Sequence, residues 1–209
     1  MAGDERRERL DATFGAVCES TRCTEERRRT LEEVIQLAVE LAREGREGRK
    51  IGTLFVIGDV DEVLAQSRSL VLDPLYGHPN EVLHVERPEL RETIKEFAQL
   101  DGGFVLTDDG TFVSAGRFID VDVNEPENFL PGLGTRHAAA ASVSRTTGAV
   151  AVAVSQSSVV RVFAGGTLRA EIIPELFLMS RQSLFTPAAE ITSRPEAGVT
   201  LAVAAGAER

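Results

Sequence analysis

The order of apolar segments predicts a layered α/β fold, and three observations lead there. A long stretch with helical periodicity, residues 25–46, is followed by a short apolar run, residues 51–57, of the length and character of a buried strand. A second amphipathic helix, residues 88–100, again gives way to short apolar runs. The 209 residues are enough for one substantial core, since domains usually hold roughly 100–150 residues, so one compact unit with appendages is expected.

Taken in order, Leu31, Val34, Ile35, Ala38, Leu41 and Ala42 share one face of the first helix, and Gly45 and Gly48 end it. Asp59 is placed to cap a following helical turn. Residues 70–85 read as irregular, with Pro74, Gly77 and Pro79 marking a loop. Pro88 opens the second helix, whose Leu90, Ile94, Phe97 and Ala98 fall together, and Asp101-Gly102-Gly103 stops it. Residues 104–106 and 111–113 flank Asp108-Asp109-Gly110 as a hairpin, with both aspartates in the turn. Residues 118–123 alternate like a strand with one wet face, which leaves Asp120 and Asp122 in solvent. A loop, residues 124–134, leads into an alanine-rich helix from Thr135. Residues 149–154 read as a buried strand, and 159–163 with 168–172 as a hairpin about Gly165-Gly166. A short helix near 176–181 and a strand near 199–203 are expected beyond Pro174.

Composition excludes several classes. No stretch approaches the roughly 20 apolar residues of a membrane-spanning helix, and the charged start lacks the apolar core of a secretory signal, so a cytoplasmic protein is expected. Cys18 and Cys23 have no second pair or nearby histidine to complete a zinc site. With 33 acidic and 23 basic residues, formal charge −10, a broad grip on nucleic acid is disfavoured while a small anion held locally is not.

The chain has no G-x-x-x-x-G-K-[ST] loop, no G-x-G-x-x-G fingerprint, no G-x-S-x-G elbow and no H-E-x-x-H pair. Two glycine-bearing junctions remain. At Asp101-Gly102-Gly103 the glycines allow close approach of a ligand and the carboxylate suits a hard cation; a plain helix stop accounts for the same residues. In residues 132–137, Gly132, Gly134, Thr135, Arg136 and His137 arrive together at a helix N-terminus, where free N–H groups and the helix dipole favour an anion. A helix capped by Thr135 with Arg136 in solvent accounts for them too. His78 and His84 read as surface or packing residues.

The two junctions, in this order, resemble the diadenylate cyclase domain. Leu100-Asp-Gly-Gly-Phe-Val105 is similar to its Asp-Gly-Ala motif, and Gly134-Thr-Arg-His-Ala-Ala139 to its Gly-Thr-Arg-His-Arg-Ala motif. The likeness extends through residues 46–58, 114–118 and 149–155, covering about residues 32–172, and is nearest to archaeal members. Gly103 stands for the usual alanine, Ala138 for a second arginine of many bacterial members, and Gln156 and Ser157 for two acids.

The resemblance implies a mixed central β-sheet flanked by helices on both faces, with an N-terminal helical extension (residues 1–48), a nucleotide-binding domain (49–175) and a C-terminal extension (176–209). It implies condensation of two ATP into cyclic di-AMP by a face-to-face homodimer with a divalent metal, Mn²⁺ or Mg²⁺. The implied catalytic residues are Asp101, Arg136 and His137, with Asp101 and His137 at the metal. Gly102, Gly103, Gly116, Gly134, Thr135, Arg136 and Ser155 would bind the nucleotide. The departures at Ala138, Gln156 and Ser157 keep open a non-catalytic ATP or cyclic di-AMP sensor of the same fold.

Overall fold

A computed structural model of the chain describes residues 24–121, 134–175, 177, 189–194 and 199–204. In chain order its elements are α1 (Glu25–Glu44), β1 (Thr53–Ile57), α2 (Val60–Ala65), β2 (Ser67–Ser69), a 3-10 turn (Asn80–Val82), α3 (Pro88–Phe97), β3 (Gly103–Leu106), β4 (Phe112–Ile119), α4 (Thr135–Thr146), β5 (Val150–Val154), β6 (Val160–Ala164), β7 (Thr167–Ile172), β8 (Ala189–Arg194) and β9 (Val199–Ala204). Cys18, Cys23, Asp122, Gly132 and most of the expected 176–181 helix lie outside the described residues.

Seven strands form one mixed sheet in the order β2-β4-β3-β1-β5-β6-β7, while β8 and β9 pair with each other. Within the large sheet β1 runs parallel to β3 and antiparallel to β5. Strand side chains alternate between faces, so each face builds its own core. On one, Phe55, Ile57, Phe104, Val152 and Val162 pack with Leu31, Ile35 and Leu41 of α1 and Ile94 of α3. On the other, Leu54, Val56, Val105, Ala151, Ala153 and Phe163 pack with Ala140 and Val143 of α4 and Val63 of α2. Helices therefore cover both faces, as expected of an α/β sheet.

Thr24 accepts the Arg27 amide on its hydroxyl to start α1, and Gly45, at φ 61°, returns its N–H to the Leu41 carbonyl to end it. Leu37 and Val39 are buried as well as the predicted face, because α1 packs against both the sheet and α3. Pro88 occupies the first turn of α3 as predicted. The β3–β4 hairpin is present, with Gly110 at φ 93°.

Three expectations need correction. Residues 111–113 and 118–123 are not separate strands: one strand, β4, runs from Phe112 to Ile119, pairing with β3 up to Arg117 and with β2 from Arg117 onward. It ends at Ile119 because its partner β2 begins there, at Ser67. Asp59 does not cap α2; it sits in the left-handed region at φ 48° and its carboxylate accepts the Gly148 amide at 2.7 Å. Asp108 is more than a turn residue, as the buried Arg27 donates to it through Nε at 2.6 Å and Nη2 at 3.1 Å.

That ion pair fastens α1 to the sheet. Arg27 also donates to the Gly148 carbonyl at 2.8 Å, and the Thr30 hydroxyl to the Asp108 carbonyl at 2.8 Å. Gly58 lies against both partners, leaving no room there for a Cβ. Asp108 is 39% exposed, which screens the pair, so removal of Arg27 is worth less than loss of a fully buried one. Arg27→Ala is expected to lower the unfolding free energy in urea by about 1–3 kcal/mol; a change below about 0.5 kcal/mol would show that α1 is held by its apolar face alone.

Candidate functional site

Strand polarity collects the two junctions. Because β1 and β3 are parallel, Gly52 before β1 and Asp101-Gly102 before β3 lie at the same edge of the sheet. Because β5 is antiparallel to β1, its C-terminal end, leading to Ser155, comes to that edge too. Neighbouring strands lie about 4.8 Å apart, so these three strand ends span only about 10 Å. The N-terminus of α4 arrives on the same edge, over the face that carries Leu54, Val105 and Ala153.

At the first junction the chain leaves α3 through Ala98 and Leu100, whose amides return to Ile94 and Phe97, and Asp101 emerges exposed. Gly102 adopts φ 103°, and a Cβ there would stand 2.6 Å from the Gly116 carbonyl carbon and 2.7 Å from the Arg117 nitrogen. Gly116, at φ 63°, would meet a Val71 methyl at 2.7 Å. Gly103 would press on the Leu54 carbonyl oxygen at 2.9 Å. Gly102 and Gly103 are thus required by close backbone packing, and Gly116 by its positive φ beside the Val71 side chain, whatever else they admit.

At the second junction Gly134 is the N-cap, at φ −75° and ψ 177°, with no side-chain cap bond. Thr135 is therefore the first helical residue, exposed, and not the cap that one sequence reading assigned to it. The first turn of α4 holds no acidic residue. Arg136 is half-buried, with its guanidinium over Gly52: a Cβ on that glycine would lie 2.9 Å from Nη1. Arg136 makes no hydrogen bond or ion pair with the described residues.

His137 is buried, 6% exposed. Its Nε2 lies 3.2 Å from Arg161 Nη1, its ring 6.2 Å from Phe163, and its Nδ1 is buried with no hydrogen-bond partner among the described residues. An arginine can only donate, so Nε2 accepts and the ring proton sits on Nδ1. Burial, then the Arg161 and Arg136 charges, hold the imidazole below its usual range against the opposing pull of Glu171. The imidazole is neutral at pH 7.

The hydroxyl of Ser155 is occupied within its own turn, 2.7 Å from the Ser157 hydroxyl and accepting the Ser157 amide at 3.1 Å. Gln156 and Ser157 are exposed, Ala138 is buried, His78 and Asp120 are exposed, and His84 bonds the Asp109 carbonyl through Nε2. Among the described residues, no group of three or more His, Cys, Asp or Glu side chains is gathered as for a metal ion. A hollow lined by Tyr76, His78, Asp109 and Phe112 lies at the opposite end of β4.

Sequence reasoning missed Arg161, which reaches the site from β6, and Glu171, its partner on β7. The signal was present: Val160-Arg-Val162 puts a charge between two valines of an interior strand, where a cation needs a reason. It missed Gly52 as the floor under Arg136 because that contact joins residues far apart in the chain.

Residues 40–168 match the sequence profile of the DAC family, described as DisA bacterial checkpoint controller nucleotide-binding. The chain is 48% identical over 153 residues to a diadenylate cyclase of Methanocaldococcus jannaschii, covering 72% of this chain and 47% of that protein. It is 36% identical over 148 residues to a diadenylate cyclase of Haloferax volcanii, covering 70% of this chain and 54% of the other. The chain thus spans about half the length of the curated relatives it matches. In fold it is similar to a solved structure described as a hypothetical membrane-spanning protein from Bacillus cereus, with TM-score 0.51 and 21% identity over 66% of this chain and 61% of that one.

The packing of Gly102 can be tested without any ligand. Gly102→Ala places a Cβ on the β4 backbone at positive φ and is expected to destabilise by about 2–4 kcal/mol in urea unfolding; a loss under about 0.5 kcal/mol would mean that the two backbones part easily.

Proposed function

We infer that the chain, which belongs to the DAC family of DisA-type nucleotide-binding domains, is a diadenylate cyclase that joins two ATP molecules into cyclic di-AMP and releases two diphosphates. The observation that carries this is the half-buried Arg136 guanidinium, with no anionic partner among the described residues, at the N-terminus of α4, which has no side-chain cap, and on the same sheet edge as the exposed Asp101. A cation left unpaired in partial burial is costly unless an anion completes it.

In this reading each subunit binds one ATP. The free N–H groups of Thr135 and Arg136, beyond the Gly134 cap, and the Arg136 guanidinium receive phosphate oxygens. Gly102, Gly103 and Gly116 keep the backbone low enough for the nucleotide to approach. Ser155 would exchange its Ser157 bond for a terminal phosphate oxygen.

Two subunits meet face to face, and the 3′-oxygen of each ATP bonds to the α-phosphorus of the other. Each α–β P–O bond breaks and diphosphate leaves with its electron pair, while the hydroxyl proton is lost to a base, for which Asp101 is the nearest exposed carboxylate at the junction. One chain offers one copy of each motif, and closing a ring needs two attacks in opposite directions, so a twofold pair is the simplest assembly.

A divalent cation, Mn²⁺ or Mg²⁺, would supply charge neutralisation at the reacting phosphates. The exposed Asp101 carboxylate fits such an ion, since Mg²⁺ usually takes one or two carboxylates with substrate phosphates. His137, neutral and at the same edge, is the second proposed ligand; its Nε2 would have to release Arg161 first. None of the described helices is long and apolar enough to cross a membrane, and a cytoplasmic location is proposed.

A non-catalytic nucleotide sensor is the second reading, favoured by buried Ala138 and the neutral Gln156 and Ser157. Incubation with ATP and Mn²⁺ or Mg²⁺, followed by mass spectrometry, separates them: cyclic di-AMP with diphosphate supports the cyclase, and binding without product supports the sensor.

Asp101→Asn is expected to cut product formation roughly 10²–10⁴-fold with the fold intact. Mixed with parent chains it should also depress their activity through mixed pairs. Unchanged turnover would return Asp101 to the role of a helix stop. Arg136→Ala should weaken ATP roughly 10–100-fold and adenosine little; equal losses in calorimetry would speak for a general structural effect.

A further inference from the structure

Arg161 is a charged residue in a place built for an apolar one. It pairs across β6 with Ala153 of β5, between buried Val160 and Val162. Its side chain is only 13% exposed, yet it does not stop at an ion pair. Nε donates to Glu171 at 2.7 Å and Nη1 to His137 Nε2 at 3.2 Å, which aims the guanidinium toward the first turn of α4. Of the five N–H donors of a guanidinium, these contacts use two, and the other three have no acceptor among the described residues. Ala138, beside His137, brings no charge.

We propose that Arg161 is a second phosphate-binding guanidinium of the nucleotide site, delivered from β6, a proposal that rests on the cyclase reading of the same edge. Among the described residues the groups around it are Arg136 and the α4 N-terminus, His137, Phe163 on its own strand, and Glu171 on β7. Glu171 is 48% exposed and cancels only part of the charge. Among the described residues, Arg136, Arg161 and a neutral His137 thus leave a local positive excess on a chain of formal charge −10.

Such an excess favours a polyphosphate and does nothing for a nucleoside. Glu171 holds the fork at Nε, and His137 holds Nη1 until its Nε2 is called to the metal, so the Nη donors present a planar pair to phosphate oxygens from an already anchored guanidinium.

The test is calorimetric titration of the full chain with ATP and with adenosine, for the parent protein, Arg161→Gln and Arg161→Lys. Arg161→Gln keeps a donor for His137 and removes the charge; ATP affinity should fall roughly 10–100-fold, with adenosine within about twofold. Arg161→Lys keeps the charge but loses the fork, so its ATP affinity should lie between the two.

Equal losses for both ligands, or no loss for either, would overturn the proposal and reduce Arg161 to a structural partner of Glu171. If Arg161→Gln loses its cooperative melting transition, Arg161→Lys decides alone: ATP weakened relative to adenosine supports the proposal, and unchanged ATP binding overturns it. Failure of the parent protein to bind ATP at all would instead sink the cyclase reading, and this inference with it.

Discussion

The pairing of β1 governs everything at the candidate site. This strand is buried on both faces, parallel to β3 on one side and antiparallel to β5 on the other. Parallel pairing aligns the starts of β1 and β3, and antiparallel pairing brings the end of β5 to meet them. Asp101, Gly52 and Ser155, which are far apart in sequence, thereby become neighbours on one edge. A single-residue slip of β1 would turn Leu54 and Val56 away from α4 and carry Gly52 from beneath Arg136. The two apolar cores, one per face, hold that register with an energy no polar contact of the site could match.

On this scaffold the electrostatics are local. Acidic residues outnumber basic ones over the chain as a whole, and many charges neutralise one another between α1 and α3, on the sheet face opposite α4: Lys95 of α3 meets Glu40 at 2.8 Å and Glu92 at 2.7 Å, and Arg91 meets Glu33 and Glu40. Burial alone would lower the Lys95 pKa, but the carboxylates around it prevail and raise it, so that network is charged at neutral pH. At the α4 end the balance reverses among the described residues, where Arg136 meets no carboxylate and Arg161 has one half-exposed partner. Positive potential over a short stretch of surface suits a small polyanion and gives no extended track for nucleic acid.

Much of this was legible in the sequence, for definable reasons. Helical and strand periods located α1, α3, β1 and β5, because their burial is set by local pattern. Gly45, Gly110 and Pro88 marked ends and turns correctly, because a positive φ or a missing N–H is a property of one residue. What escaped depends on partners remote in the chain. β2, Ser-Arg-Ser, has no apolar signature and exists as a strand only because β4 pairs with it. The Arg27–Asp108 ion pair joins residues 81 apart, and Asp59 spends its carboxylate on Gly148 instead of its own helix. At the candidate site the motif residues were visible as a string, whereas Arg161 could be found only once β6 had been laid beside β5.

The central claim is spatial: one edge of one sheet face holds the triphosphate. A crystal structure of the protein soaked with a non-hydrolysable ATP analogue tests it most directly. The account predicts phosphates on the first turn of α4, within hydrogen-bonding distance of the Arg136 guanidinium, and the ribose on the Asp101 side of β1. A nucleotide bound in the hollow beside Tyr76 and Asp109, or on the face covered by α1 and α3, would contradict it.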